Sequence, residues 1–248
     1  MRIVTILLSL SIPLNALAQD YKFGKVSKEE LAETYNALDS SASASYLYKN
    51  RKTFFEYYGQ DGFQMITEFH ERIKIYNQEG FDYATKSIIL HKSGSDDEEF
   101  SSLKAFTYCL ENGKIVDTKI DKKSIFKTEK NKYRNEVKFT MPNINEGCVI
   151  EYKYRVQSPF YSNVDDFVFQ NDIPTKKLIA KFEAPEYFKF KVSMRGSLSI
   201  TPKKEHRRGS LRIGSSDIDF STEYHEYNLS DVPALREEPY VNNINNSN

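Results

Sequence analysis

The sequence predicts an all-β protein, mainly antiparallel, in which one large β-sandwich-type domain follows a short N-terminal helix. Three observations carry that reading. Apolar residues recur with a period of two in many short runs separated by Gly, Asn, Asp and Pro, the pattern of half-buried strands. The 248 residues include 17 Tyr and 17 Phe but no Trp, and such rings fit a pleated surface. Strands do not alternate with helical periods, which excludes a doubly wound α/β fold.

The elements follow in order. Met1-Arg2, an apolar run from Ile3 to Leu14 and Ala16-Leu17-Ala18 have the pattern of a cleaved secretory signal peptide over 1–18, too short for a comfortable membrane span. Residues 19–45 are a helical lead-in and loop. Ser27 with Glu30 forms a capping box, which predicts a helix from Lys28 to about Asn36. The β domain occupies 46–240. Strands are predicted at 45–50, 53–58 and 63–76, the last with the longest alternation, then at 83–90, 103–110 and 114–120. Asn112-Gly113 between the last two is a strong hairpin signal. Further strands fit 136–141, 148–158, 167–170, 176–183, 188–195, 198–201, 211–213 and 218–228. The acidic run Asp96 to Glu99 reads as a solvated loop, and the basic run Lys203 to Gly209 as a hairpin tip. Residues 241–248 form an Asn-rich tail or truncated linker.

Charge and side-chain inventory narrow the chemistry. Lys and Arg total 35 against 35 Asp and Glu, so the basic excess of a nucleic-acid binder is missing. His70, His91, His206 and His225 are too scattered for a zinc site, and His70 and His225 alternate outward as half-exposed sheet residues. No phosphate loop, nucleophile elbow or dinucleotide fingerprint occurs, and no metal or cofactor is expected. Cys109 and Cys148 lie inside apolar, strand-like runs, where buried free thiols are expected. Their even number also permits a Cys109–Cys148 disulfide if the two strands are neighbours. No catalytic constellation emerges. Arg72 and Glu151 sit on central strands and either pair across the sheet or both face solvent.

Several stretches then become recognisable together: Glu71 to Gly80, Lys104 to Tyr108 ahead of Asn112-Gly113-Lys114, and Met141-Pro142-Asn143 through Val149 to Tyr154. Ser158-Pro159-Phe160-Tyr161, Phe169-Gln170 with Ile173-Pro174, and Pro185 to Phe188 complete the set. In this order, from about Tyr46 to Tyr240, they resemble the DUF3857 family, a domain found at the N-terminus of exported transglutaminase-like proteins, chiefly in Bacteroidetes. The resemblance implies a β-sandwich-type domain ahead of a papain-like catalytic core whose residues match no position here. Cys148 departs from the family pattern, where Ser is expected.

The leading expectation is therefore a non-catalytic, exported accessory or interaction domain, periplasmic or extracellular. It would position a downstream transglutaminase-like partner or recognise a peptide or glycan. The competing readings are a Cys-dependent transferase or protease using Cys148 or Cys109, and a truncated fragment without independent function.

Overall fold

The computed structural model describes residues 21–235 except 197, 199, 214 and 215, and without the side chains of 212 and 213. The signal peptide read at 1–18 and the tail read at 241–248 lie outside the described residues. Among the described residues one α-helix, α1 (Lys28–Ala32), precedes twelve strands. They are β1 (Ala44–Tyr57), β2 (Phe63–Ile75), β3 (Thr85–Ser93), β4 (Asp96–Asp97), β5 (Glu99–Glu111), β6 (Lys114–Lys119), β7 (Ile125–Asn131), β8 (Arg134–Thr140), β9 (Val149–Ser158), β10 (Thr175–Pro185), β11 (Lys203–Ile213) and β12 (Ser216–Val232).

Eight strands form a large sheet in the order β11-β12-β10-β1-β2-β9-β5-β6, and β4-β3-β8-β7 form a small one. Every pairing is antiparallel except β1 with β10. The small sheet packs over β2, β9 and β5, and residues from both sheets fuse there into the main core. Ile73, Ile150 and Tyr152 meet Val137 and Phe139, all essentially inaccessible to water. Alternation sends the intervening residues to the opposite face, where Leu47, Tyr108 and Val149 are covered by Val26 and Leu31 of the lead-in. The lead-in is thus a lid on the sheet.

Local chemistry fixes the connections. Asn112 and Gly113 adopt φ of 49° and 74°, the left-handed pair that a tight hairpin between β5 and β6 requires. Ser27 caps α1 by accepting from the Glu30 amide while Glu30 accepts from the Ser27 amide. Gly80 is obligatory at the 3₁₀ turn Gln78–Ala84, because a Cβ there would sit 2.4 Å from the Ser43 carbonyl oxygen.

Several sequence expectations need correction. The helix ends at Ala32, not Asn36, since Glu33 turns extended and sends its carboxylate to Tyr76 and Lys176. The two short strands read at 45–50 and 53–58 are one strand, bulged between Tyr46 and Tyr48. The Lys-rich stretch hides β7, an edge strand exposed nearly throughout and so without a buried stripe to reveal it. Lys203 to Gly209 is not a hairpin tip but the body of β11, where Arg207 pairs with Glu205 and lies over Tyr224. The 96–99 run is not wholly a solvated loop, because Asp96 and Asp97 pair with β3 and Glu98 is buried, accepting from the His91 amide. Residues 167–170 and 188–195, and the described residues of 198–201, form no strand.

Candidate functional site

Adjacent residues of β2 and β9 build two buried polar clusters on opposite faces of the large sheet. On the face under the lead-in, Arg72 stands opposite Glu151. Its Nε and Nη2 donate to Glu151 Oε1 at 3.0 and 2.7 Å, Nη1 donates to Glu30 Oε1 at 2.8 Å and the Lys25 carbonyl at 3.2 Å, and Nη2 also reaches the Lys22 carbonyl at 2.8 Å. Glu151 further accepts from the Gly24 amide and contacts His70 Nε2 at 2.7 Å. His70 is therefore not an outward sheet residue: it lies under the lead-in, edge-on to Tyr48 and beside Phe23. Burial opposes ionisation of Glu151, but His70 and Arg72 prevail and hold its carboxyl below the ordinary 4.5. Next to this cluster, Lys74 donates to the carbonyls of Leu31 and Gly147, and burial pushes its ammonium down to about 8.

Sheet alternation turns the neighbouring pair, Glu71 and Tyr152, toward the small sheet. Tyr152 donates its hydroxyl to Glu71, and Lys86 from β3 donates to the same carboxylate at 3.0 Å. Burial alone would raise Glu71, yet Lys86, Lys49 and the Tyr152 hydroxyl bring it below its ordinary value. In both clusters the carboxylates are buried and paired with cations, which is the arrangement of a structural bolt.

The two cysteines stand opposite each other where β5 meets the entrance to β9, with Cα atoms 4.5 Å apart, and they form a disulfide. This corrects the expectation of buried free thiols. The short separation is that of a directly opposed, non-hydrogen-bonded cross-strand pair, a relation that single-strand periodicity cannot reveal. As a disulfide, neither sulfur is a thiolate, the form required of a nucleophile. Among the described residues no group of three or more His, Cys, Asp or Glu side chains is placed to hold a metal ion.

An open site lies on the other half of the large sheet. Over β1, β10 and β12 the small sheet is replaced by the loop 165–170 and by residues 192–196, 198 and 200, which line a groove of about 780 Å³. Phe167 and Phe169 face Tyr227 across one wall, with ring centroids 4.6 and 5.2 Å apart in succession. Val192 and Met194 form the other wall and are about half exposed, at 52% and 48%. Arg51 reaches in from β1. Its guanidinium lies 5.7 Å from both the Phe69 and Phe167 rings and donates to the carbonyls of Asp165 and Asp166. Burial lowers the Arg51 pKa and the Asp165 charge offsets part of that. Exposed aromatic and aliphatic carbon around a few fixed polar groups is the constitution of a binding groove. Sequence reasoning missed it. Phe167 to Gln170 has the alternation of a strand, and nothing local indicates that Arg51 would meet it across 114 residues. No helix among the described residues is long and apolar enough to cross a membrane.

Comparison with known proteins sets this geometry in context. No curated protein matches the chain. A solved structure from Parabacteroides distasonis ATCC 8503, described as a putative protease, superposes with a TM-score of 0.62 at 15% sequence identity. The alignment covers 83% of this chain but 39% of that one, so the likeness is one of fold, and this chain spans well under half of that protein's length. The family model described as "Domain of Unknown Function with solved-structure structure (DUF3857)" matches residues 63–220, from the start of β2 into β12. The chain belongs to the DUF3857 family.

Proposed function

We propose that this chain is a non-catalytic accessory domain, exported to an oxidising compartment, that recognises a peptide on behalf of a transglutaminase-like or proteolytic partner. The observation that carries the reading is the groove over β1, β10 and β12, where Phe167, Phe169, Val192 and Met194 present apolar surface beside Arg51. The Cys109–Cys148 disulfide supports both parts of the reading. It suits an oxidising compartment, and a Cys-dependent mechanism would have to begin by reducing it. The shared fold with part of a longer chain described as a protease is in keeping with an accessory role.

The test is selection of displayed peptides on the full chain, followed by mass analysis of the selected peptides after prolonged incubation with it. The reading expects enriched sequences that remain intact and whose binding weakens when Phe167 is replaced by Ala. Cleaved or glutamine-crosslinked peptides would show an enzyme, and failure to enrich any peptide would remove the recognition role.

A further inference from the structure

The segment Phe188 to Arg195 reads Phe-Lys-Phe-Lys-Val-Ser-Met-Arg, an unbroken alternation without Gly or Pro. Such a run has the composition of a strand. In the structure it is unpaired: among the described residues, no main-chain group from Lys189 to Gly196 takes part in a hydrogen bond with another main-chain group. Its first two aromatic residues are anchored. Phe188 packs 5.0 Å from Phe55 and Phe190 packs 5.1 Å from Phe182, both on the sheet beneath. Lys189 and Lys191 are exposed and do not line the groove, Arg195 is exposed at the groove itself, and no acidic residue occurs between Glu186 and Glu205 in the sequence.

The second layer of the sandwich is therefore complete over β2, β9 and β5, where the small sheet lies, and lacks a paired strand over β1, β10 and β12. We propose that an acidic, extended peptide of another protein adds as a strand alongside residues 188–195. This rests on the peptide-recognition reading above and gives it a location and a chemistry. Strand addition draws affinity from main-chain pairing and selectivity from alternate side chains. Residues opposite Phe190, Val192 and Met194 would point down toward the groove and should be apolar, because side chains of directly opposed residues share a face. Residues opposite Lys189 and Lys191 would point outward, and the two lysines on that row select carboxylates.

The test is fluorescence anisotropy on the full chain with three labelled probes: a short peptide alternating Val and Glu, its Val and Lys counterpart, and the Val and Glu peptide N-methylated at alternate amides. The first binds and the N-methylated form does not. The Lys counterpart binds about tenfold more weakly, the scale expected of a few exposed charge contacts. In the variant Lys189→Glu/Lys191→Glu the preference inverts. Both lysines are exposed, so the variant should keep the wild-type unfolding midpoint. Hydrogen exchange supplies a second readout, with amides 189–196 gaining protection only when the Val and Glu peptide is present. Binding that ignores the charge reversal, protection elsewhere on the chain, or self-association of the chain through the two lysines would overturn the site. If this probe fails while selected peptides still bind, the site falls and the recognition reading stands; if neither binds, both fall.

Discussion

Arg72 and Arg51 sit on neighbouring strands and do opposite things. Arg72 is 1% exposed and makes five hydrogen bonds, three of them to the lead-in and two to Glu151. Arg51 makes two, both to main-chain carbonyls of the 165–170 loop, and its plane borders a groove. The two side chains point to opposite faces of the sheet, and the difference is what covers each. The lead-in, with its own capping box, closes over Arg72 and leaves none of its polar atoms for a ligand. On the face of Arg51 an unpaired segment only partly covers β1, β10 and β12. A buried charge therefore marks structure or recognition according to whether its donors are all used.

Breaking the closed half should have the largest effect. Arg72→Met leaves Glu151 and Glu30 buried without their cation and should cost about 3–5 kcal/mol in denaturant unfolding, with amides 24 to 33 losing exchange protection. If Arg51→Met costs as much, the two regions do not differ as described. Removing the disulfide with Cys109→Ser/Cys148→Ser comes next. It frees a loop spanned by a sequence separation of 39 and should lower stability by about 2–4 kcal/mol, read as a lower denaturation midpoint.

The acid limb of the stability profile sharpens the comparison further. Glu151 and Glu71 are both held below the ordinary 4.5, so the unfolded chain binds protons at those two sites before the folded chain does. Their contribution is fully present above 4.5 and is lost as pH falls through the lower folded values. Glu151→Gln should flatten that limb, and an unchanged slope would mean that Arg72 and His70 do not hold the carboxylate charged. The smallest of these effects belongs to Ser27→Ala, which removes the helix cap at a cost of about 1 kcal/mol and should loosen the lead-in without touching the groove.

Much of the closed half was legible in the sequence. Alternation marked β2 and β9, and the capping box marked α1. What periodicity cannot supply is pairing between distant strands or the identity of a cover. The Arg72 partners on the lead-in are 42 to 50 residues away, and His70 read as an outward, half-exposed sheet residue because Phe23, which packs on it, and Gly24, which donates to its partner Glu151, belong to a stretch with no pattern. Cys109 and Cys148 each looked like a buried hydrophobe because strand-like surroundings say nothing about the neighbouring strand. The open half misled in the reverse direction. Phe188 to Arg195 alternates as a strand does, since Phe188 and Phe190 face the sheet and the lysines face water, but periodicity records a face and not a hydrogen-bonded partner. That mismatch between pattern and pairing is the signal that located the groove's open wall.

Hydrogen exchange of the free chain, comparing amides 24 to 33 with amides 189 to 196, tests the account most directly. The account predicts slow exchange in the first set, where Gly24, Ser27, Glu30, Leu31 and Glu33 all donate, and fast exchange in the second, whose amides have no main-chain acceptor among the described residues. Equal protection of the two sets would contradict it, because residues 188–195 would then already be paired and no strand position would be open to a partner.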